Sequence, residues 1–396
     1  MTADIYYDPY DTEIDAAPHE LWRRMRDEAP VYRNDRYDFW ALSRHADVDA
    51  ASRNTKTYSS ARGTTLELLS GGGASTGMII FMDPPEHGRL RALVSRAFTP
   101  RRIGLLHEQI RQQCVDLLDP YVGSGGFDFV ADFGAELPSR VISALLGVPA
   151  VDQPRILNII NTMFHIEPGV GMMNDTAINA MFELHAYLTE QLDERRAHPR
   201  DDMLTDLVRA EIDEADGTKR RLTDEESANF GVLLVSAGTE TVARLLGWAS
   251  VALAAFPDQR QILVDDPSAI PNGVEELLRY EAPSPAQGRW TTRELTLHGV
   301  TIPAESKVLL LTGSAGRDER AFANPDVLDV RRRLESHVSF GLGAHYCLGA
   351  PLARLEGRIA LEEALRRFPT WEVDHDKAER LHTSTVRGYK KVPITF

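Results

Sequence analysis

The residues of this 396-residue chain that could do chemistry gather around one of its two cysteines. Cys347 lies in Phe340-Gly341-Leu342-Gly343-Ala344-His345-Tyr346-Cys347-Leu348-Gly349-Ala350, where glycines alternate with larger residues before a helix begins. Glycine permits the tight turns, and a cysteine at a helix N-terminus meets unpaired peptide N–H groups and the positive end of the helix dipole. Both favour a thiolate, the form that binds a metal. For a lone cysteine taken by itself, a buried structural thiol is the commoner situation.

Three further constellations carry chemistry. Ala237-Gly238-Thr239-Glu240-Thr241 sets an acid, two hydroxyls and a glycine inside an apolar helical run, where threonine can bond its own i−4 carbonyl and a kink or bulge is expected. His87 and Arg91 are spaced i,i+4 and share one helix face, suited to an anionic group, although solvated surface charge is the ordinary reading. Glu276-x-x-Arg279 is uninformative as a pattern, since Glu20/Arg23, Glu108/Arg111 and Glu363/Arg366 repeat it as ordinary helix-surface pairs.

The elements that must position these residues are mostly helical. Val31–Arg33 and Tyr37–Leu42 read as short strands around a turn at Asn34-Asp35, with helices at Leu21–Glu28 and His45–Arg53. Residues 59–82 contain a Gly-Gly-Gly run and read as a lid or pocket wall. Asp83 is placed as N-cap, with Pro84 at the first helical position, of a helical block reaching about Glu211. Thr223-Asp224-Glu225-Glu226 forms a capping box for a helix ending before Pro257, long enough to cross the whole molecule. A helix Pro271–Tyr280, strands at Glu294–Thr301 and Ser306–Thr312, a helix over 348–367 and a strand-bearing tail follow.

Composition bounds the function. Lys+Arg 44 against Asp+Glu 59 gives 44 − 59 = −15, which disfavours nucleic acid as a partner. Two cysteines without C-x-x-C spacing exclude a disulfide framework and a zinc ribbon. The acidic N-terminus is no signal peptide, and no uninterrupted apolar run suggests a membrane anchor. A cytoplasmic globular protein is expected.

The Phe-Gly-x-Gly-x-His-x-Cys-x-Gly pattern at 340–349 resembles the haem-binding loop of the cytochrome P450 superfamily. The resemblance extends in chain order through Asp83-Pro84-Pro85, the long helix and Glu276/Arg279. It implies a mainly α fold with small β-sheets (α+β), a triangular helix-rich domain with a long central helix, formed as a single domain by residues 1–396. It implies haem b (iron protoporphyrin IX) with Cys347 as axial metal ligand, Phe340 shielding that ligand, Gly349 completing the loop, and His345 hydrogen-bonded to a propionate. His87, Arg91 and Arg289 become further propionate donors. Glu276 and Arg279, completed by Arg332 or a neighbouring arginine, become a buried structural network.

By the same resemblance Thr241 serves oxygen activation and Glu240, where many bacterial members carry Asp, relays protons. The implied activity is a monooxygenase inserting one atom of O2 into a lipophilic small molecule such as a fatty acid, terpenoid, steroid or polyketide. No flavin or nicotinamide fingerprint occurs, so electrons are expected from a ferredoxin and an NAD(P)H-dependent ferredoxin reductase, docked near Arg101, Arg102, Arg354 and Arg358, with the enzyme a monomer. A peroxide-driven peroxygenase and a non-catalytic haem-thiolate sensor are the alternatives; the peroxygenase members lack the acid–threonine pair that is present here. Leu68, Met78, Phe164, Met172, Leu234, Ala237, Ala286 and Val386 are the expected pocket walls, mostly apolar and deformable at methionine. Arg62 is a possible carboxylate anchor, though an exposed surface arginine is the simpler reading.

Overall fold

Local capping explains the element on which the rest is assembled. Thr223 Oγ1 accepts from Glu226 N at 3.1 Å while the Glu226 carboxylate accepts from Thr223 N at 2.8 Å, and three acids occupy the first turn. The helix then runs unbroken over Asp224–Ala255, about 48 Å at 1.5 Å per residue. This computed structural model describes residues 5–72, 77–95, 98–167, 171, 173–213, 217–383 and 386–396. Among them the central helix is the one helix long and apolar enough to cross a membrane, yet 72% of its most apolar window is buried inside the protein. It is a core helix.

Around it pack helices Glu136–Leu146, Asp175–Ala197 and Ala350–Arg367, the turn Phe129–Gly134 and the strand Arg387–Lys391. The helix continues without a break through 237–241. Gly238 serves close packing instead: a Cβ there would come within 3.1 Å of Ile142. Trp248 Nε1 donates to Arg387 O at 3.0 Å and Trp371 Nε1 to Ser250 O at 2.9 Å, so the helix is fastened to the C-terminal strands by directional bonds as well as burial.

A five-stranded sheet lies apart, in the order Val31–Asn34, Phe39–Leu42, Lys307–Leu310, Gln287–Thr291, Tyr58–Ser59. Its register sets Arg289 opposite Val308. The 59–82 loop is pinned to this sheet where Gly288 N donates to Thr64 O at 2.7 Å. Two expectations need correction here. The stretch Glu294–Thr301 is a hairpin, Leu295–Leu297 with Val300–Ile302, because His298 and Gly299 both take positive φ (50° and 78°) and turn the chain. The Asp83 side chain does not cap the helix: its carboxylate accepts from Ser59 Oγ and Ser60 N, while its carbonyl accepts from His87 N at 3.0 Å and the regular helix begins at Glu86.

Helix Ile270–Tyr280 carries the most fully paired buried charges. Glu276 and Arg279 are both 0% exposed, and Arg279 donates from Nε and Nη2 to the two carboxylate oxygens at 2.7 Å. Arg279 Nη1 reaches Gly316 O and Pro325 O, while Arg332 Nε and Asp329 N each donate to Glu276 Oε1 at 3.0 Å. Every charge in the network has a partner. Replacing Arg279 by methionine leaves Glu276 buried and short of its bidentate partner, so urea unfolding should show a loss of about 3–5 kcal/mol.

Candidate active site

The cysteine loop is closed by backbone. Cys347 N donates to Phe340 O at 2.8 Å, Gly341 N to Val338 O at 2.8 Å and Tyr346 N to Gly343 O at 3.1 Å. Gly343 adopts φ 69°, and a Cβ there would stand 2.9 Å from Arg53 Cα and 3.1 Å from Ser52 O. Only glycine meets both demands, so the loop packs directly on the backbone of helix His45–Arg53.

Cys347 is half-buried just before helix Ala350–Arg367, whose N-cap is Gly349. Burial pushes its thiol pKa up, and the Gly349 and Ala350 N–H groups, Arg91 and Arg354 pull it down without prevailing. The helix terminus thus favours the thiolate against burial, and a cation bound at the sulfur would favour it further.

Behind the loop stands a cluster that the sequence did not single out. Glu275 receives Arg354 in a two-pronged pair at 2.6 and 2.8 Å and faces His337 Nε2 at 2.9 Å. Burial alone would raise the Glu275 carboxyl, but His337 and Arg354 bring it to about 2. Arg354 also donates to Tyr346 Oη at 2.8 Å and stacks on Phe340, 4.6 Å from the ring centroid. Thus Glu276 and Glu275, adjacent on one helix, serve two networks: one fixes the helix, the other holds the outer side of the cysteine loop.

On the opposite flank four basic groups converge. His87 and His345 have ring centroids 4.3 Å apart, and Nε2 of each is buried without a hydrogen-bond partner. Arg289 is buried and donates to its neighbouring Gly288 O at 2.7 Å, while Arg91 donates to Tyr346 O. Among the described residues none of the four forms an ion pair. Burial lowers His345 to about 3 and Arg289 to about 10, and it lowers His87 and Arg91 as well; mutual repulsion among them adds to the drop at His87 and His345. Buried donors without an anion are costly, and this set fits a ligand presenting carboxylates. The two propionates of a haem, with its iron facing one thiolate, match that donor chemistry.

On the central helix Thr241 Oγ1 donates to Ala237 O at 2.9 Å, as expected for a helical threonine. Ala237 is exposed and Ser236, Gly238 and Thr241 are partly so, although Val235, Thr239 and Glu240 beside them are buried. An accessible stripe thus opens midway along the most buried helix. Glu240 points the other way, 2% exposed and 2.9 Å from Arg244 Nε.

The expected pocket walls are dispersed. Met78 and Leu234 belong to the large core with Phe164 packed against it, Ala286 belongs to a second cluster with Trp22 and Leu66, and Val386 is buried beside Thr383. Leu68 sits in the turn Leu68–Gly72, and Met172 lies outside the described residues. A cavity of about 320 Å³ is lined instead by Leu93, Val94, Met203 and Leu207 with Arg102 and Asp206. Arg62 is exposed and stacks on Trp290 at 4.1 Å. Of the arginines expected to dock a partner, Arg102 pairs with Asp206, Arg354 with Glu275 and Arg358 with Glu362, and the side chain of Arg101 lies outside the described set. No free basic patch forms there among the described residues, because each cation has a nearby carboxylate.

Comparison with known proteins agrees with this geometry. A cytochrome P450 family model matches residues 270–394. Putative cytochrome P450 123 of Mycobacterium tuberculosis is 41% identical over 99% of this chain and 97% of its own. Erythromycin C-12 hydroxylase of Saccharopolyspora erythraea is 39% identical over 93% and 92%. The structure of a P450 EryK mutant in complex with erythromycin B superposes with TM-score 0.87 at 37% identity, covering 96% of each chain. The chain belongs to the cytochrome P450 family. It is a monooxygenase, and the family binds iron protoporphyrin IX through a cysteine thiolate.

The unpaired histidines give a pH signature for the haem-free protein. The folded-state pKa of His345, about 3, lies below its ordinary 6.5, so the folded state binds fewer protons than the unfolded. Its contribution is present above pH 6.5 and is lost as pH falls toward 3. Urea midpoints of haem-free wild type should fall more steeply across that window than those of His345→Asn.

Proposed function

We propose that this chain forms, over its whole length, one haem-thiolate domain that oxygenates a lipophilic small molecule in the cytoplasm as a monomer. The single observation that carries the reading is one loop cysteine beside four converging basic groups, His87 and Arg289 buried and Arg91 and His345 partly so, with no ion pair among the described residues. In this reading Cys347 binds the iron, and His87, Arg91, Arg289 and His345 bind the propionates. Haem supplies dioxygen binding and reductive cleavage, with thiolate donation favouring O–O scission.

The protein's own residues do the rest. Gly349 and Ala350 N–H groups moderate the sulfur's charge, and Phe340, held by Arg354, screens it from water. Thr241 lies on the accessible stripe and presents a hydroxyl at the reaction chamber, anchored through Ala237 O. Glu240 takes up protons on the outer side of the helix and passes them inward. Burial raises its carboxyl pKa, with Arg244 and Lys390 opposing, which suits an acid that must exchange a proton.

Of the apolar residues expected to wall the pocket, Met78, Phe164 and Leu234 share one core and are assigned to the wall together with Ala237. They favour a lipophilic substrate of polyketide, steroid, terpenoid or fatty-acid type, and the erythromycin hydroxylase relative makes a macrolide-sized polyketide the first to test. Electrons reach the enzyme from a ferredoxin reduced by an NAD(P)H-dependent ferredoxin reductase.

Dithionite-reduced protein with carbon monoxide should give the strongly red-shifted Soret band of thiolate ligation, and Cys347→Ser should lose it; an ordinary carbon monoxide haem band in wild type would overturn the assignment. Thr241→Ala should retain haem and consume NADH with product formation lowered several-fold; fully coupled turnover would remove Thr241 from the chemistry.

A further inference from the structure

Glu276–Arg279 and Glu240–Arg244 are both buried Glu–Arg pairs within single helices, and they are built differently. Glu276–Arg279 is doubly bonded, and Glu276 also receives Arg332 and Asp329 N. Glu240–Arg244 is equally buried, at 2% and 4% exposure, and Nε stands 2.9 Å from Oε1. Yet that N–H is not aimed at the oxygen: both Oε1 and Nε lack a hydrogen-bond partner. The attraction is Coulombic without the directional bond. Arg244 opposes the rise that burial imposes on the Glu240 carboxyl, and Oε1 retains spare hydrogen-bonding capacity.

The other end of Arg244 is committed. Nη1 donates to Tyr389 O on the strand Arg387–Lys391, and the aliphatic stem crosses Gly388 so closely that a Cβ there would lie 2.7 Å from Arg244 Cδ. The same strand receives Trp248 through Arg387 O and follows directly on Val386. The charged groups facing Glu240 are therefore Arg244 on its own helix and Lys390 on this strand.

We propose that Arg244 is the positioning residue for Glu240, holding its carboxyl ionised in a contact loose enough to break and tying it to the strand that begins beside the pocket-wall position Val386. The proposal rests on the proton-relay reading of Glu240. It makes displacement of that strand a means of releasing the acid, and it explains glycine at 388 by the room the Arg244 stem needs.

The test separates the proposal from the reading beneath it. In haem-free protein at neutral pH, Arg244→Leu should add an infrared carbonyl stretch of a protonated carboxylic acid beyond the one that buried Glu356 gives in wild type, and the added band should be abolished in Arg244→Leu/Glu240→Gln. Arg244→Lys should abolish the added band, and Gly388→Ala, which displaces the stem without removing the charge, should produce it. In the haem-loaded enzyme Arg244→Leu and Gly388→Ala should lower product per NADH several-fold, toward the value for Glu240→Gln, with Arg244→Lys restoring it. No added protonated-acid band and unchanged coupling in folded Arg244→Leu would overturn the proposal; if that variant does not fold, the same two results in Gly388→Ala overturn it. Full coupling in Glu240→Gln would instead sink the relay reading, whatever the infrared band reports about Arg244.

Discussion

A charge withdrawn from water has to meet its opposite inside the protein, and this fold is organised by how completely each buried charge does so. The completely met pair, Glu276–Arg279, locks one helix to the loop-rich stretch from Gly316 to Arg332 and leaves nothing free to react. The partly met pair, Glu240–Arg244, lies at the middle of the central helix. The basic set His87, Arg91, Arg289 and His345 forms no ion pair among the described residues, Asp83 alone offsetting the charge of His87 and Arg289 from a distance, which leaves it open to an anionic ligand. In the proposed function, structure, proton handling and cofactor capture correspond to these three degrees of electrostatic completion.

Legibility in sequence follows the range of the interaction. Elements fixed by contacts a few residues apart could be read: the Thr223/Glu226 capping box, helix His45–Arg53, and the glycine-spaced loop whose bonds run from Phe340 to Cys347. Elements fixed by distant partners could not. The strand Gly126–Asp128 exists because it pairs with Pro393–Thr395 at the far end of the chain. Asp83 carries the signature of an N-cap, but Ser59 and Ser60 compete for its carboxylate and win.

The site divides in the same way. Cys347, His345 and the His87/Arg91 pair were marked by spacing. Glu275 was passed over because it adjoins the patterned Glu276, and its meaning depends on His337 and Arg354, residues 62 and 79 positions away. Arg244 carried no motif, although its i,i+4 spacing from Glu240 was a signal available in the sequence. Of the docking arginines, the basic residues were visible in sequence, but the carboxylates that pair with Arg102, Arg354 and Arg358 were not.

Arg289 has its place by strand register rather than by local sequence. It stands opposite Val308, and the adjacent Gly288 lies so close to Thr64 that no other residue could take its position. Because side chains alternate across a sheet, a slip of one residue would turn Arg289 to the opposite face. If Arg289 holds a propionate as proposed, cofactor retention would read out pairing fidelity in a sheet distant in sequence from the cysteine. The prosthetic group would then act as a proofreader of assembly, retained by those chains whose strands have aligned correctly.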